Sequence, residues 1–299
     1  MPDHAVTLEC DGRRRTAQVH LPEGQGPALL PLVLVLHGRQ ITGPDIRRWT
    51  HFDAVADQHG FIVAYPEGYQ RSWNDGRGNS PAEQDGVDDV AFVGALLDHL
   101  IGAFPVAAAQ VAVTGLSNGG VFCHRLALEL SERIAVIAPV AGSMPVPLAS
   151  IRPTCAVSVL VIHGTADRSM RFDGRAAGLR GRLQKRLFMR RYRPGQPMLS
   201  VPATLARWRT IDRCLMDEPL PPLPAAGNDR TWVERQRSGG HGGTTVESWI
   251  IHGGGHTWPG GPIMPPLGRV SRRFDAAPVI WEFAASHWSA AAARRLPVD

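Results

Sequence analysis

The pattern of apolar and polar residues along the chain switches repeatedly between two kinds of segment. Unbroken apolar runs, such as "LPLVLVLHG" at 30–38 and "FIVAYPEG" at 61–68, each end in glycine. Such runs are typical of parallel strands that are buried on both faces. Between them, apolar residues recur at helical spacing, as at 88–103 and 201–215. Strands that alternate with helices predict an α/β fold, with a mostly parallel sheet covered by helices on both faces.

Two antiparallel hairpins and a final helix are also predicted. Asp11-Gly12 separates two strand-like stretches, and this dipeptide favours a tight type I′ turn. A Gly-rich turn separates "TWVERQR" from "TTVESWII", and residues 276–293 have the spacing of a helix. We expect residues 1–299 to form a single catalytic domain.

The stretch "VTGLSNGGVF" at 113–122 places one serine between a predicted strand and a predicted helix. In the pattern Gly-x-Ser-x-Gly, a sharp turn pushes the serine Oγ above the sheet. Glycine is needed at 115 and 119 because side chains there would collide. The helix N-terminus supplies N–H groups where an oxyanion would form. The pattern therefore predicts Ser117 as a nucleophile, and a chance match is the alternative.

A serine nucleophile needs a base and an acid that orients it, in the chain order Ser, acid, His for this fold. Asp167 directly follows the buried strand of "VLVIHGTAD", and Asp173 is the second candidate. His256 lies in the Gly-rich loop "HGGGHTWPGG" after another strand. His252 and His256 also form an H-x-x-x-H pair, but three glycines argue against a helical ligand face, so we predict no metal site.

The oxyanion is expected to bind the backbone N–H groups of Asn118 and Arg39. Asn118 follows the serine, and Arg39 lies in the loop after "LVLVLHG". His37 in the same loop is expected to order the loop, and it is also a candidate neighbour of the substrate.

Charge and cysteine content limit the remaining possibilities. The net charge is +5, but residues 168–193 hold nine arginines and Lys185 against Asp173, so this basic insert carries +9 and the rest −4. A basic pI confined to one segment does not indicate a nucleic-acid-binding protein. Cys123 is predicted to be a buried free thiol, and one disulfide among Cys10, Cys155 and Cys214 stays open.

Nothing in the apolar pattern predicts a membrane segment or a leader. The longest apolar run, "ALLPLVLVL", is shorter than the roughly 20 residues that span a bilayer. The first residues lack a signal-peptide pattern, so we expect either an intracellular protein or a leader that is missing from this chain.

With these residues assembled, the chain resembles the polyhydroxybutyrate-depolymerase-like and feruloyl-esterase-like branch of the α/β-hydrolases. The combination of "GLSNGG" with "GGGHTWPGG" is specific, whereas G-x-S-x-G alone is not. The resembling segments run in order over nearly the whole chain and include "LVLVLHG", "FDAVADQHGFIVAYPEG", "SWNDGRG", "VTGLSNGGVFCHRLALEL", "VIHGTAD", "SVPATLARWRTIDRC" and "GGGHTWPGG".

The resemblance implies a cofactor-free serine esterase that acts on small or polymeric esters, of polyhydroxyalkanoate or feruloyl and aryl type. It supports Ser117, Asp167 and His256 as the catalytic residues. It also implies that Trp73, Asn74 and Trp258 border the substrate cleft, with core packing as the alternative.

Family members are usually secreted, which implies an extracellular protein despite the missing leader. The chain departs from the family at Arg168, where the family has proline, and in the basic insert.

Three rival functions remain at this point. A peptidase or thioesterase would use the same residues. A non-catalytic binding protein on a hydrolase scaffold would be expected if one of the three catalytic residues were missing. A nucleic-acid binder would rest on the basic insert alone. Oligomeric state is not predicted.

The basic insert generates the first prediction. Leu179, Leu183 and Leu187 recur every four residues among cationic ones, which predicts a short amphipathic helix in a flap over the cleft. Replacing 175–193 with a Gly-Ser linker should change KM and chain-length preference across an ester panel. It should leave kcat on p-nitrophenyl acetate nearly unchanged, because the catalytic residues are intact. An unaltered profile on every ester would mean that the insert has no such role.

Overall fold

The computed structural model describes residues 4–23, 28–175, 195–223, 229–288 and 291–297. Most of the basic insert, including the predicted leucine stripe, lies outside the described residues. The strands in these residues are β1 (His4–Cys10), β2 (Arg13–His20), β3 (Leu30–Leu36), β4 (Ile62–Pro66), β5 (Val106–Leu116), β6 (Val136–Val140), β7 (Ser158–Gly164), β8 (Glu218–Pro219), β9 (Trp232–Gly239) and β10 (Thr245–His252). They form one sheet in the order β1-β2-β4-β3-β5-β6-β7-β10-β9-β8.

The middle of the sheet is parallel and its two ends are antiparallel. Strands β4, β3, β5, β6, β7 and β10 pair in parallel, so their carboxyl ends meet at one edge. The predicted N-terminal hairpin is confirmed as β1–β2, with φ of 50° at Asp11 and 65° at Gly12 as a type I′ turn requires. The second predicted hairpin is confirmed as β9–β10. The mostly parallel α/β-hydrolase sheet predicted from the sequence is therefore the observed one.

Helices cover both faces of the sheet because alternate residues of each buried strand point to opposite sides. In β3, Leu32 and Leu34 join one apolar cluster, whereas Val33 and Val35 join the other. The helices are α1 (Gly43–Thr50), α2 (Phe52–His59), α3 (Pro81–Gln84), α4 (Asp89–Ala103), α5 (Asn118–Glu129), α6 (Val201–Ile211), α7 (Ala276–Ala285) and α8 (Ala291–Arg294). The first cluster includes residues of α4, α5 and α6, and the second includes residues of α1, α2 and α7.

Two helix predictions need correction. The last helix stops at Ala285 and a short α8 follows, because the His287 ring nitrogen Nδ1 contacts the Phe283 carbonyl at 2.6 Å, where a continuing helix would place a backbone N–H. Helix α6 is capped by Ser200 as expected but ends at Ile211. Leu215 therefore lies beyond the apolar stripe and is 92% exposed.

The cysteines and the helix lengths complete the description. All four cysteines are free thiols, and Cys123 is buried as predicted, so no disulfide joins the other three in this structure. Within the described residues, no helix is long and apolar enough to cross a bilayer.

A buried carboxyl group at the end of α6 makes stability depend on pH. Asp212 is completely buried; its Oδ1 accepts the Val157 N–H at 3.2 Å, and its Oδ2 has no hydrogen-bond partner. Burial raises the pKa of Asp212 to about 8, although the Val157 N–H and the charge of Arg294 oppose the shift. The folded protein therefore keeps a proton that the unfolded chain loses near pH 4, at about the ordinary carboxyl pKa.

Asp212 should therefore destabilise the fold progressively as pH rises. Its contribution is favourable below about pH 4 and is lost as pH rises through the folded pKa of about 8. Asp212→Asn, which stays neutral, should flatten the fall of Tm between about pH 5 and pH 9. The exposed Asp98→Asn serves as the control and should follow the parent. A Tm curve for Asp212→Asn parallel to that of the parent would contradict this origin of the pH dependence.

Candidate active site at the carboxyl edge of the sheet

Ser117 is the single residue between β5 and α5, and its backbone is strained. Its φ is 58° and its ψ is −115°, in a region of backbone angles that residues other than glycine rarely occupy. A Cβ at Gly115 would lie 2.8 Å from the Leu36 Cβ, and one at Gly119 would lie 2.5 Å from the Leu36 carbonyl oxygen. Both glycines are thus required, as the sequence predicted, because the serine turn packs directly on the end of β3.

The loop after β3 lies beside this turn. A Cβ added to Gly38 would be 3.5 Å from the Ser117 Cβ, and Arg39, which follows, is half-buried. Asn118 begins α5, so its backbone N–H belongs to the first helical turn, where N–H groups have no partner within the helix. The two positions predicted to hold an oxyanion therefore flank Ser117 from two different segments.

Asp167 follows β7, and both oxygens of its carboxylate accept hydrogen bonds. Its Oδ1 accepts the backbone N–H groups of Ser169 at 2.7 Å and Met170 at 2.8 Å. Its Oδ2 accepts the Nδ1–H of His256 at 2.7 Å. Burial alone would raise the pKa of Asp167, but the charge and hydrogen bond of His256 and the Met170 N–H together hold it below its usual value. Asp167 is therefore an oriented, ionised carboxylate.

Glycine contacts bring the acid loop and the histidine loop together. A Cβ at Gly164 would lie 2.4 Å from the Gly254 carbonyl oxygen, and the Ala166 N–H donates to that oxygen at 2.9 Å. The His256 N–H donates to the Leu267 carbonyl at 2.7 Å, and the residue is 7% exposed. Because Gly164 and Gly254 have no side chains, the two loops pack closely. His256 can therefore reach Asp167, 89 residues away along the chain.

Sequence reasoning missed His163, two residues before the acid loop. Its side chain is completely buried, its Nε2–H donates to the Met170 carbonyl at 2.8 Å, and that nitrogen lies 3.7 Å from the Asp167 Oδ2. Burial lowers the pKa of His163, which favours a neutral ring. The ring therefore packs beside the Asp167 carboxylate and supports it by binding the carbonyl of Met170, whose N–H donates to Asp167. The signal in the sequence is the histidine of "VLVIHGTAD", which by itself indicates only the end of a strand.

The segment "SWND" holds the start of α5 in place. The Asn118 side chain accepts the Trp73 N–H at 2.8 Å and donates to the Trp73 carbonyl at 3.1 Å and to the Asp75 carboxylate. Asn74 donates its amide to the Val87 carbonyl at 2.7 Å and accepts hydrogen bonds from Arg125. Asn118 is predicted from the sequence as a backbone N–H donor. Its side chain thus also links the start of α5 to residues 73–75.

Four residues predicted to contact substrate are buried or engaged elsewhere. His37 and Trp73 are both 0% exposed and their rings lie 5.0 Å apart, while the Trp73 indole N–H donates to the His37 carbonyl at 2.9 Å. Burial lowers the pKa of His37 to about 4. Trp258 is 3% exposed and packs on Phe52. In this structure these residues and Asn74 have structural contacts within the fold. Their contact with the substrate stays a prediction.

His252 and His256 have separate partners. The His252 Nε2 lies 2.9 Å from the Glu234 carboxylate, and its ring stacks on Trp232 at 3.6 Å. His256 turns instead to Asp167. No group of three or more His, Cys, Asp or Glu side chains arranged to hold a metal occurs among the described residues.

Comparison with known proteins places the chain in a family. A family model described as "Putative esterase" matches residues 9–212, more than half of the 299 residues. The chain belongs to this esterase family. It is similar to "Putative esterase NocK" of Nocardia uniformis subsp. tsuyamanensis, with 34% identity over 284 residues that cover 91% of the chain and 79% of that protein. The esterase is thus a hydrolase of carboxylic esters.

Two further relatives are more distant. Feruloyl esterase B of Neurospora crassa is 32% identical over 104 residues, which cover 34% of the esterase and 35% of that protein. The solved structure of an acetyl xylan esterase from Aspergillus awamori has a TM-score of 0.56 at 14% identity, and the match covers 88% of the esterase and 96% of that chain. The latter supports the fold and nothing finer.

The link from Asn118 to residues 73–75 generates a stability prediction. Asn118→Ala keeps the backbone N–H but leaves the Trp73 N–H and the Asp75 carboxylate without this partner. Leaving buried polar groups unpaired should lower the free energy of unfolding by about 1–3 kcal/mol, measured by urea denaturation. Ser150→Ala, in an exposed turn, is the control and should unfold at the parent's midpoint. Equal midpoints for both variants would show that the link contributes nothing to stability.

Proposed function

We propose that the esterase hydrolyses carboxylic esters through an acyl-enzyme on Ser117, with His256 as the base and Asp167 as the orienting acid. The observation that carries this proposal is the 2.7 Å hydrogen bond between Asp167 and His256. That pair lies at the sheet edge where the strained serine turn also lies, since β5, β7 and β10 all end there.

The hydrogen bond determines what the imidazole does. Because Nδ1–H donates to Asp167, the neutral ring has a bare Nε2, which is the atom that takes the Ser117 proton. The ionised Asp167 stabilises the imidazolium that results. His256 then gives the proton to the alcohol leaving group, and water attacks the acyl-enzyme with the same base.

The tetrahedral oxyanion is held by backbone N–H groups of Asn118 and Arg39. Asn118 adds the positive end of the α5 dipole, which favours negative charge at this point. The packing of the β3 loop against the Ser117 turn supports this pair of donors, because it would hold both segments in place before the substrate arrives. This preorganisation is the main source of rate acceleration in acyl transfer.

For the substrate, we propose esters of the polyhydroxyalkanoate type or feruloyl and aryl esters. The motif combination in the sequence and the partial similarity to a feruloyl esterase support this class. Membership in the esterase family makes a peptidase or thioesterase the second choice. An intact set of serine, histidine and acid argues against a non-catalytic binding protein.

Removal of the nucleophile is the direct test of mechanism. Ser117→Ala should lower kcat by a factor on the order of 10⁶, because a triad acts as a unit. The variant should fold normally, with Tm at or above that of the parent, since alanine fits the same turn. Retention of a tenth of the parental activity would refute the role of Ser117.

Matched pairs of variants extend this test to the acid and the base. Asp167→Asn should lower kcat by about 10⁴, because the amide stabilises the wrong tautomer of the base. Asp173→Asn, six residues later and exposed, should leave kcat unchanged. His256→Ala and His252→Ala form the second pair, with the loss expected only for His256. Equal losses within either pair would contradict the assignment.

A panel of esters tests the substrate class. We expect kcat/KM on feruloyl esters or hydroxybutyrate oligomers to exceed that on p-nitrophenyl acetate, with hydrolysis of peptide and thioester analogues far slower. If a thioester or peptide were the best substrate, the proposed class would be wrong although the mechanism of Ser117 would stand.

A further inference from the structure

His37 is completely buried beside the candidate active site, directly after β3. It precedes the Gly38–Arg39 segment, which carries one of the two proposed oxyanion donors. The His37 ring lies 5.0 Å from that of Trp73, and a Cβ at Gly68 would come within 3.1 Å of its Nε2. In this structure, any effect of the ring on ester hydrolysis therefore passes through the groups that surround it.

Two hydrogen bonds determine where the proton of the His37 ring lies. Nδ1 is 2.7 Å from the Gly38 carbonyl oxygen, which can only accept, so Nδ1 carries the hydrogen and donates it. Nε2 is 2.8 Å from the Gly68 nitrogen, whose N–H can only donate, so Nε2 is bare and accepts. The ring is therefore neutral, in the Nδ1–H form. Burial lowers the pKa of His37 to about 4, in agreement with this assignment.

The Glu67 carboxylate also lies near Nε2 of His37, but it has another partner. Its Oε1 is 3.7 Å from Nε2, whereas its Oε2 accepts the Gly43 N–H at 2.7 Å. A distance of 3.7 Å exceeds that of an N–H···O hydrogen bond, about 2.7–3.2 Å. The Gly68 N–H rather than Glu67 therefore sets the proton position of the ring.

The Gly38 carbonyl and the Arg39 N–H are the two ends of one peptide group. This group is planar and trans, so its C=O and its N–H point in opposite directions. A hydrogen bond that fixes the carbonyl also fixes the direction of the N–H. The His37 Nδ1–H thus controls, from the opposite side of the peptide, the donor that is proposed to hold the oxyanion.

The same hydrogen bond strengthens that donor. A peptide whose carbonyl accepts a hydrogen bond is polarised, and cooperative strengthening amounts to roughly 10–30% per bond. The low dielectric around a buried ring such as that of His37 increases such electrostatic effects. The benefit is greatest in the transition state, because full negative charge develops on the substrate oxygen only there.

We propose that neutral His37 is a positioning residue that orients and polarises the Gly38–Arg39 peptide, so that its N–H stabilises the oxyanion. This role rests on the function proposed above, because it needs the oxyanion that forms when Ser117 attacks an ester. It concerns the backbone peptide alone and does not involve the Arg39 side chain. It also differs from general ordering of the loop, since the effect belongs to one hydrogen, that on Nδ1.

Two substitutions separate the two nitrogens of the ring. In His37→Asn, the side-chain amide takes the place of Nδ1, so the donor to the Gly38 carbonyl is kept and the acceptor for the Gly68 N–H is lost. In His37→Gln, the longer side chain places its amide near the position of Nε2, so the acceptor is kept and the donor is lost. Each variant loses the ring and one hydrogen bond, so a merely structural role predicts similar effects for both.

Steady-state kinetics on p-nitrophenyl acetate gives the first readout. His37→Gln should lower kcat by about ten- to a hundredfold, at or below the roughly 10²–10³-fold loss that follows removal of a whole oxyanion donor. KM should stay within about twofold of the parental value, because the donor acts mainly in the transition state. His37→Asn should keep kcat within about threefold of the parent.

A transition-state analogue gives the second readout. Ser117 adds to the carbonyl carbon of 2,2,2-trifluoroacetophenone, its proton passes to His256, and the adduct carries an oxyanion at the same place as the ester intermediate. The inhibition constant should rise in His37→Gln by about the factor by which kcat falls. In His37→Asn it should stay close to the parental value.

His124→Gln is the matched control for the loss of a buried histidine. His124 is also completely buried, and its Nδ1 accepts the Trp208 indole N–H at 3.0 Å. Loss of that acceptor should lower Tm, as the His37 substitutions should. Both kcat and the inhibition constant should nevertheless stay at parental values, which separates loss of stability from loss of oxyanion stabilisation.

Three results would overturn the proposal: equal losses of kcat in His37→Asn and His37→Gln, no loss in either variant, or a loss confined to KM. If His37→Gln does not fold, His37→Met takes its place in the comparison, because methionine also lacks a donor for the Gly38 carbonyl. Failure of the proposed function would appear differently, as esterase activity retained in Ser117→Ala.

Discussion

The close approach of α5 to the end of β3 is the constraint on which the rest of the candidate active site depends. With no side chain at Gly119, the helix backbone comes within contact distance of the Leu36 and His37 carbonyls. That approach forces the sharp turn at Ser117 and its unusual backbone angles. It also brings the β3 loop against the serine, so Ser117 and its proposed oxyanion donors form one packed unit whose geometry does not rely on flexible side chains.

Close backbone packing at glycines occurs a second time, between the loops that carry Asp167 and His256. Gly164 packs on the Gly254 and Gly255 carbonyls, and side chains at these positions would drive the loops apart. Once the backbones meet, the Asp167–His256 hydrogen bond forms between residues that are buried and already oriented. Asp167 keeps its charge because two backbone N–H groups and the imidazole offset the cost of burial.

A chain of buried polar contacts connects the Ser117 turn to the N-terminal hairpin. Arg15 in β2 pairs with Asp89 at 2.6 Å, and Asp89 also accepts the Asn74 N–H. Burial raises the pKa of Asp89, and the charge of Arg15 and these hydrogen bonds oppose that rise. From Asn74 the contacts continue through Trp73 to the Asn118 side chain beside the nucleophile. The N-terminal hairpin is therefore tied to the active site, although it is distant along the chain.

The sequence alone determined the α/β fold, both hairpins and the candidate residues Ser117, Asp167 and His256, because each depends on a local pattern such as apolar periodicity, a glycine pair or a strand end. It could not assign Trp73, His37 and Trp258 between substrate and core, since an aromatic ring suits both places until its neighbours are known. Nor could it show that His163 supports Asp167, that Asp212 is buried with a raised pKa, or that α7 ends at Ala285. Those features arise from contacts between residues far apart in the chain, and only the tertiary structure decides which groups lose water and which partners they meet.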